Sequence, residues 1–214
     1  DNTERILREM ESPITVIIGN PPYSIGQSNA NDNNQNMKYE TLDKRIADTY
    51  ARHSAAGLVK SLYDPYIRAF RWATDRIQDK GVVSFVTNSG WLDAASTDGF
   101  RKSLEREYSD IYVYDLRGNQ KSVNWRAEGG KVFDSGSQAG IAITFLVKKP
   151  SKVGEANIHY FAVPDGLSAA DKLALLRTNP FDPKSKDWKS IHPNAHHDWI
   201  NQRDESFETF VPIY

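Results

Sequence analysis

The stretch that most constrains this chain is ITVIIGNPPYSIGQ, Ile14 to Gln27. Ile14 to Ile18 is a continuous apolar, largely β-branched run. Such a run suits a strand covered on both faces, as in a parallel sheet. It halts at Gly19-Asn20-Pro21-Pro22-Tyr23. Neither proline has an N–H to give to a ladder, and each fixes its own φ. The chain must therefore leave the sheet here in a stiff, defined shape. Such a turn holds an amide, Asn20, and an aromatic ring, Tyr23, against whatever lies at the strand end.

The rest of the chain alternates strand and helix signals. A charged start, DNTERILREMES, reads as helix. Residues 24–53 are polar and Asn-rich, too long for a plain connection inside a compact domain, so they read as a functional or mobile loop. Val59, Leu62, Tyr66, Phe70, Ala73 and Ile77 recur at helical steps and predict a helix over Ala55–Ile77, kinked or restarted at Pro65. Val82–Val86 predicts a strand that ends in the polar Thr87-Asn88-Ser89. A helix over Gly99–Tyr108 follows, then a strand over Ile111–Tyr114 that ends in Asp115 to Asn119. Two more strands, Gly140–Val147 and Asn157–Val163, read as a closing antiparallel hairpin. This order implies βαβ units with right-handed crossovers. Leu167–Arg177 predicts a short helix, and Pro180–Tyr214 has no strong period.

Composition removes several function classes. With 214 residues, 39% hydrophobic and 26% charged, the chain is globular. The absence of cysteine removes disulfides and thiolate metal sites, and suits a reducing compartment. No apolar run approaches the roughly 20 residues of a membrane span. The net charge of −1 announces no nucleic-acid binder, although a local patch is sufficient for one. His192, His196, His197 and Asp198 are interrupted by Pro193 and lack a third-site pattern, so no metal is expected. Ser84 and Ser89 have no nucleophile setting.

Ligands of open α/β sheets sit at the C-terminal ends of the strands. Here those ends are Asn20-Pro-Pro-Tyr23, Thr87-Asn88-Ser89 and Asp115 to Asn119. The first suits a planar amine. An exocyclic amino group delocalises its lone pair into its ring. Two acceptors, an Asn oxygen and a backbone carbonyl of fixed direction, can hold both its N–H groups and favour a more tetrahedral nitrogen. A neighbouring ring can stack on the base. A plain turn after a strand is the bland alternative.

With the strand before it, Gly19-Asn20-Pro21-Pro22-Tyr23 resembles the catalytic motif of amino-group, N6-adenine DNA methyltransferases. LYDPYIRAFRWATDRI, GVVSFVTNSGWL, IYVYDLRGN and KVFDSGSQAGIAITFLVKK resemble that family's later elements in order. The wording is most similar to the methylase part of large single-chain restriction–modification proteins with a helicase, the type ISP proteins and their relatives. The resemblance covers roughly residues 11–163. It implies a Rossmann-like class I methyltransferase sheet, its catalytic half, with mostly parallel strands and a C-terminal antiparallel hairpin. Residues 1–163 would be the catalytic part, and 164–214 an appended segment leading toward target recognition.

The resemblance also implies roles. Asn20 and Pro21 would bind the adenine amine, Pro22 would shape the turn, and Tyr23 would stack on a base flipped from double-stranded DNA. Phe133, from the later Val-Phe segment, would close the other face, with core packing as its alternative. Arg117, Lys121 and Arg126 would touch phosphate, although a solvated charged loop reads as well. S-adenosylmethionine would be the methyl donor. That family's Gly-containing cofactor turn has no counterpart before Asn20. The chain is therefore expected to be a fragment, inactive alone, with most of its cofactor site upstream. The parent would be cytoplasmic and prokaryotic, and its partners would be DNA and the rest of its polypeptide. The rival readings are a protein-glutamine methyltransferase, which shares the motif, and a silent module that binds DNA or bridges other domains.

Overall fold

The computed structural model describes residues 2–22, 38–133 and 138–203. Helix α1 spans Asn2–Glu11, as the charged start predicts, and strand β1 spans Val16–Gly19. Helix α2 (Glu40–Ile46) runs on through a wider turn over Ala47–Ala51. These residues lie inside the stretch read from sequence as a polar loop. Ile46 and Tyr50, four apart, are fully buried and give this segment one apolar face. Its charges are engaged as well: Arg68 donates to Asp43 at 2.6 and 3.0 Å.

The helix predicted over Ala55–Ile77 is corrected in its first part: residues 54–59 are irregular, and the apolar period is divided at its proline. A single tight turn, Lys60–Tyr63, buries Leu62, and helix α3 (Pro65–Arg76) begins on Pro65. The Asp64 carboxylate caps α3 by accepting the Tyr66 N–H at 3.3 Å. The remaining elements are β2 (Gly81–Asn88), α4 (Asp98–Glu107), β3 (Asp110–Arg117), α5 (Trp125–Glu128), β4 (Ile141–Lys148), β5 (Asn157–Ala162), α6 (Ala169–Thr178) and β6 (Lys189–Ile191).

Among the described residues six strands form one mixed sheet in the order β1-β2-β4-β3-β5-β6. β1 and β2 are parallel, with Gly19 opposite Phe85, and α2 and α3 make the crossover between them. β4 runs antiparallel between β2 and β3, β5 is parallel to β3, and β6 is antiparallel to β5. Four strands, β1, β2, β3 and β5, thus point one way. The sheet is mostly parallel in direction, as expected. The expected hairpin is corrected: β4 is antiparallel, but its partners are β2 and β3. β4 and β5 do not pair, and the antiparallel pair at the C-terminal end is β5 with β6. A turn and a period set each strand, but neither fixes which strand lies beside which.

Both faces of the sheet are covered. Alternation along β3 sends Ile111 and Val113 to a large core with α3 and α4, and Tyr114 and Leu116 to a smaller one with Leu175 and Leu176 of α6. Phe70, Phe85, Trp91 and Phe100 meet mainly edge to face in the large core, centroids 5.0–6.1 Å apart. Arg71, 1% exposed, ties three helices together. It donates to Glu107 at 2.7 and 2.8 Å and to Asp75 at 2.6 Å, while Arg45 of α2 donates to the same Asp75 at 2.9 and 2.7 Å. Through residue 203, the segment after Val163 adds α6 and β6 to this fold and Trp199 to the large core.

Coverage fails in one place. β1 pairs with β2 alone among the described residues, and its Val16 and Ile18 side chains are 57% and 79% exposed. The continuous apolar run had predicted burial on both faces.

Candidate active site

Because β1, β2, β3 and β5 point one way, the loops that follow them gather at one end of the sheet. Asn20-Pro21-Pro22 follows β1 there as irregular backbone. Asn20 and Pro22 are exposed and Pro21 is half-buried. Gly19, the last residue of β1, packs closely on β2. A Cβ at Gly19 would stand 3.1 Å from the Phe85 ring, so only glycine lets the end of β1 lie against it without displacement. Tyr23 lies outside the described residues.

The end of β2 is built into the fold. Thr87 is fully buried, and Trp91 Nε1 donates to its hydroxyl at 3.4 Å. Asn88 Oδ1 accepts the Gly90 N–H at 3.1 Å, closing a tight turn. The Ser89 N–H donates to Gly140 O at 2.8 Å, which joins this turn to the entry of β4. A Cβ at Gly140 would crowd Ser89 Oγ at 2.5 Å and Arg117 O at 3.1 Å, so its lack of side chain lets three strand ends converge.

At the end of β3, Asp115 accepts the Arg117 N–H at 2.7 Å and the Tyr160 hydroxyl at 2.8 Å. It caps the turn where β3 bulges and Arg117 turns to φ +55°. Burial pushes the Asp115 carboxyl above its ordinary range, against both of those hydrogen bonds. Arg117 pairs with Asp165 at 2.5 Å.

These groups line a polar cleft of about 450 Å³. Ser89, Gly90 and Asp93 form one wall, Asp115, Arg117 and Asn119 another, and Ile200 and Asn201 reach in from the C-terminal segment. That segment is strapped down. The fully buried Arg101 donates to His197 O at 2.6 Å, to Trp91 O and Ala94 O at 2.8 Å, and to Asp198 at 3.1 Å. Glu105 accepts from Trp199 Nε1 at 2.7 Å and meets His197 Nδ1 at 2.7 Å. His197 and Asp198, two members of the histidine-rich group, therefore have structural partners.

Phe133 is half-buried and packs on the smaller core around Tyr114, Leu116, Ile141 and Val163. Lys121 and Arg126 are exposed on the loop between β3 and β4, the Arg126 guanidinium 4.8 Å from the Trp125 ring centroid. The fold thus brings the Asn20 turn, Arg117, Lys121, Arg126 and the approach of Phe133 to β4 to one end of the sheet. Sequence reasoning missed Tyr160, Asp165, Lys172 and the strap, which only the fold brings together from distant positions. Among the described residues no helix is long and apolar enough to cross a membrane.

The sequence profile of the Eco57I restriction-modification methylase matches residues 9–122, from α1 through β3 to the loop beyond it. No curated protein matches the chain. Three solved structures are close to it. A nuclease-deletion mutant of the Type ISP restriction-modification enzyme LlaGI, in complex with a DNA substrate mimic, shares 46% identity over 99% of this chain, with a TM-score of 0.87. The DrdV–DNA complex shares 42% over 96%, at 0.83. The ATP-dependent Type ISP restriction-modification enzyme LlaBIII bound to DNA shares 38% over 97%, at 0.86. The chain spans only 17%, 20% and 14% of the lengths of those three chains. With a profile match over more than half its length, the chain belongs to the Eco57I restriction-modification methylase family.

Proposed function

We propose that this chain is the catalytic part of a site-specific DNA adenine-N6 methyltransferase of a restriction–modification system. The observation that carries the reading is the Gly19-Asn20-Pro21-Pro22 turn. It leaves β1 at the end of the sheet where the loops after β2, β3 and β5 also converge. Adenine rotates out of the duplex to reach that end. The Asn20 side-chain oxygen and the Pro21 carbonyl accept the two N–H groups of its exocyclic amine, so the nitrogen lone pair is turned outward. Pro22 keeps the turn rigid. Tyr23 stacks on one face of the base and Phe133 closes the other. Arg117, Lys121 and Arg126 meet the phosphate backbone.

S-adenosylmethionine, when bound, supplies the activated methyl group. The strand beside the amine-binding turn is β1, which lies at a sheet edge with Val16 and Ile18 uncovered. We place the donor on further polypeptide of the same protein that packs on β1. Fully covering two such side chains is worth about 1.5–3 kcal/mol each. Partners are thus double-stranded DNA and the remainder of a longer chain, in a prokaryotic cytoplasm. The DNA complexes of the similar enzymes support this reading.

The test is product identity. The full-length protein is incubated with isotope-labelled S-adenosylmethionine and unmethylated duplex, and the DNA is digested to nucleosides. The reading expects label in N6-methyladenine. Label in a protein glutamine would point to amide methylation. DNA binding without transfer would point to a silent module. Either result overturns the reading.

A further inference from the structure

The loop between β3 and β4 carries two apolar side chains that the fold does not use. Val123 is 97% exposed and Trp125 is 48% exposed. Single exposed apolar residues are ordinary. What sets these apart is how firmly the loop beneath them is held. Lys172, fully buried, donates to the Glu128 and Gly130 carbonyls, each at 2.7 Å. Gln120 Nε2 bridges Gly118 O and Gly129 O at 3.2 and 2.9 Å, and the Asn119 N–H donates to Glu128 Oε2 at 3.1 Å. The Gly130 N–H donates to Leu167 O, and the Gly166 N–H to Ala127 O, both at 2.9 Å. Burying a lysine is costly unless its ammonium is fully engaged. Here that ammonium fixes the base of a loop whose tip presents two apolar side chains, Val123 and Trp125, among the polar Ser122 and Asn124, which line the cleft. The tip is flanked by cations, Lys121 and Arg126, while the carboxylate Glu128 is occupied at the base.

A firmly held base, two exposed apolar side chains and flanking cations suit a contact with a stacked, polyanionic partner. β3 lies three strand spacings from β1, about 14 Å. The loop therefore stands at the same end of the sheet as Asn20, across the strand ends from it. A base extruded toward Asn20 leaves a gap in its stack. Apolar side chains inserted between bases fill such gaps and keep the helix open.

We propose that residues 119–128 are the wedge of this enzyme. Val123 enters the gap left by the flipped adenine, Trp125 stacks on the base beside it, and Lys121 and Arg126 hold the adjoining phosphates. The proposal rests on the adenine-methylation reading above.

The test uses the full-length protein with duplexes that carry 2-aminopurine at the target adenine. It compares wild type with Val123→Gly, Trp125→Ala and the conservative Val123→Leu. Two readouts are taken, 2-aminopurine emission and methyl transfer to the matching adenine duplex. A second duplex places the target adenine in a mismatch, so that it is already unpaired. The expected result is a loss of at least about fivefold in emission and transfer for Val123→Gly and Trp125→Ala on paired DNA. Transfer returns to within about twofold of wild type on the mismatch, because less unstacking is required. Val123→Leu stays near wild type. Equal losses on both duplexes would assign the tip to another domain of the protein and overturn the proposal. Unchanged activity would overturn it as well. If the wild type transfers no methyl group to adenine in either duplex, the adenine reading itself fails and the wedge falls with it.

Discussion

Replacing Arg101 with methionine would cut the strap that holds the C-terminal segment against the cleft. Arg101 is fully buried and donates to four residues beyond its own helix: Trp91, Ala94, His197 and Asp198. The Thr97 hydroxyl can donate to the Trp91 carbonyl at 2.9 Å, and the Thr97 N–H donates to the Ala94 carbonyl at 3.2 Å, so those two keep a partner. Asp198 keeps Arg203 at 2.7 and 2.9 Å and Asn194 at 3.2 Å. The main losses are the His197 carbonyl's donor and one of two cations on a buried carboxylate. Breaking a buried pair costs about 3–5 kcal/mol, and the retained partners place this case near the lower end. About 3 kcal/mol is roughly a hundredfold in an opening equilibrium. Amide exchange reads this locally, without needing the whole protein to unfold as one unit. The reporters are the His197 and Asp198 N–H groups, bonded to Asn194 O and Asn194 Oδ1, each at 2.9 Å. Their exchange should rise about a hundredfold in Arg101→Met while α3 amides stay protected. Arg101→Lys should recover only part, because an ammonium cannot span the same acceptors. Exchange within about threefold of wild type at both amides would refute the reasoning.

Other consequences follow from single contacts. Gly99→Ala would drive a methyl group into the Tyr50 carbonyl and to 2.6 Å from Ser54 N, so α4 must shift. Thermal unfolding should show a loss of about 1–3 kcal/mol or more. Lys172→Met would leave the Glu128 and Gly130 carbonyls without that donor, at about 1–3 kcal/mol, and should speed exchange of the Gly130 amide. Burial opposes ionisation of Asp75, but hydrogen bonds from Arg45 and Arg71 outweigh it and hold the carboxyl below its usual range. A depressed carboxylate stabilises the fold above its unfolded value of about 3.9, and that contribution is lost as pH falls through the folded value. Stability should therefore decline on acidification below about pH 4, and Asp75→Asn should make that decline shallower.

The parts of this fold legible in sequence are those set by local chemistry. The apolar run before Gly19 gave β1, and two prolines marked its end. The helical period read over Ala55–Ile77 gave α3 only from Pro65 onward, one of the two outcomes expected of that proline; residues 54–59 are irregular. The parts that were not legible depend on partners distant in the chain. Residues 40–51 read as loop because only Ile46 and Tyr50 carry their apolar face. β4 sits between β2 and β3 through pairing that no period encodes. β6 is three residues, Lys-Ser-Ile, and exists only as a partner for β5. The site divides in the same way. The Asn20 turn was legible because its residue types exclude a strand. The cleft was not, because its lining runs from Ser89 to Asn201. The exposed Val16 and Ile18 show the reverse case, in which sequence predicted a covered strand and the described residues supply one neighbour for it.

The central claim is that the Asn20 turn holds the amine that is methylated. The most direct measurement is the single-turnover rate of methyl transfer to duplex adenine by the full-length protein, wild type against Asn20→Ala. Binding of DNA and of S-adenosylmethionine is measured alongside. Asn20 is exposed at a strand end, so the fold should tolerate the change. Removing one preorganised hydrogen-bonding group aimed at the reacting centre costs about 10²–10³ in rate. The account predicts a loss of that size with both affinities little changed. A rate within about tenfold of wild type would contradict it.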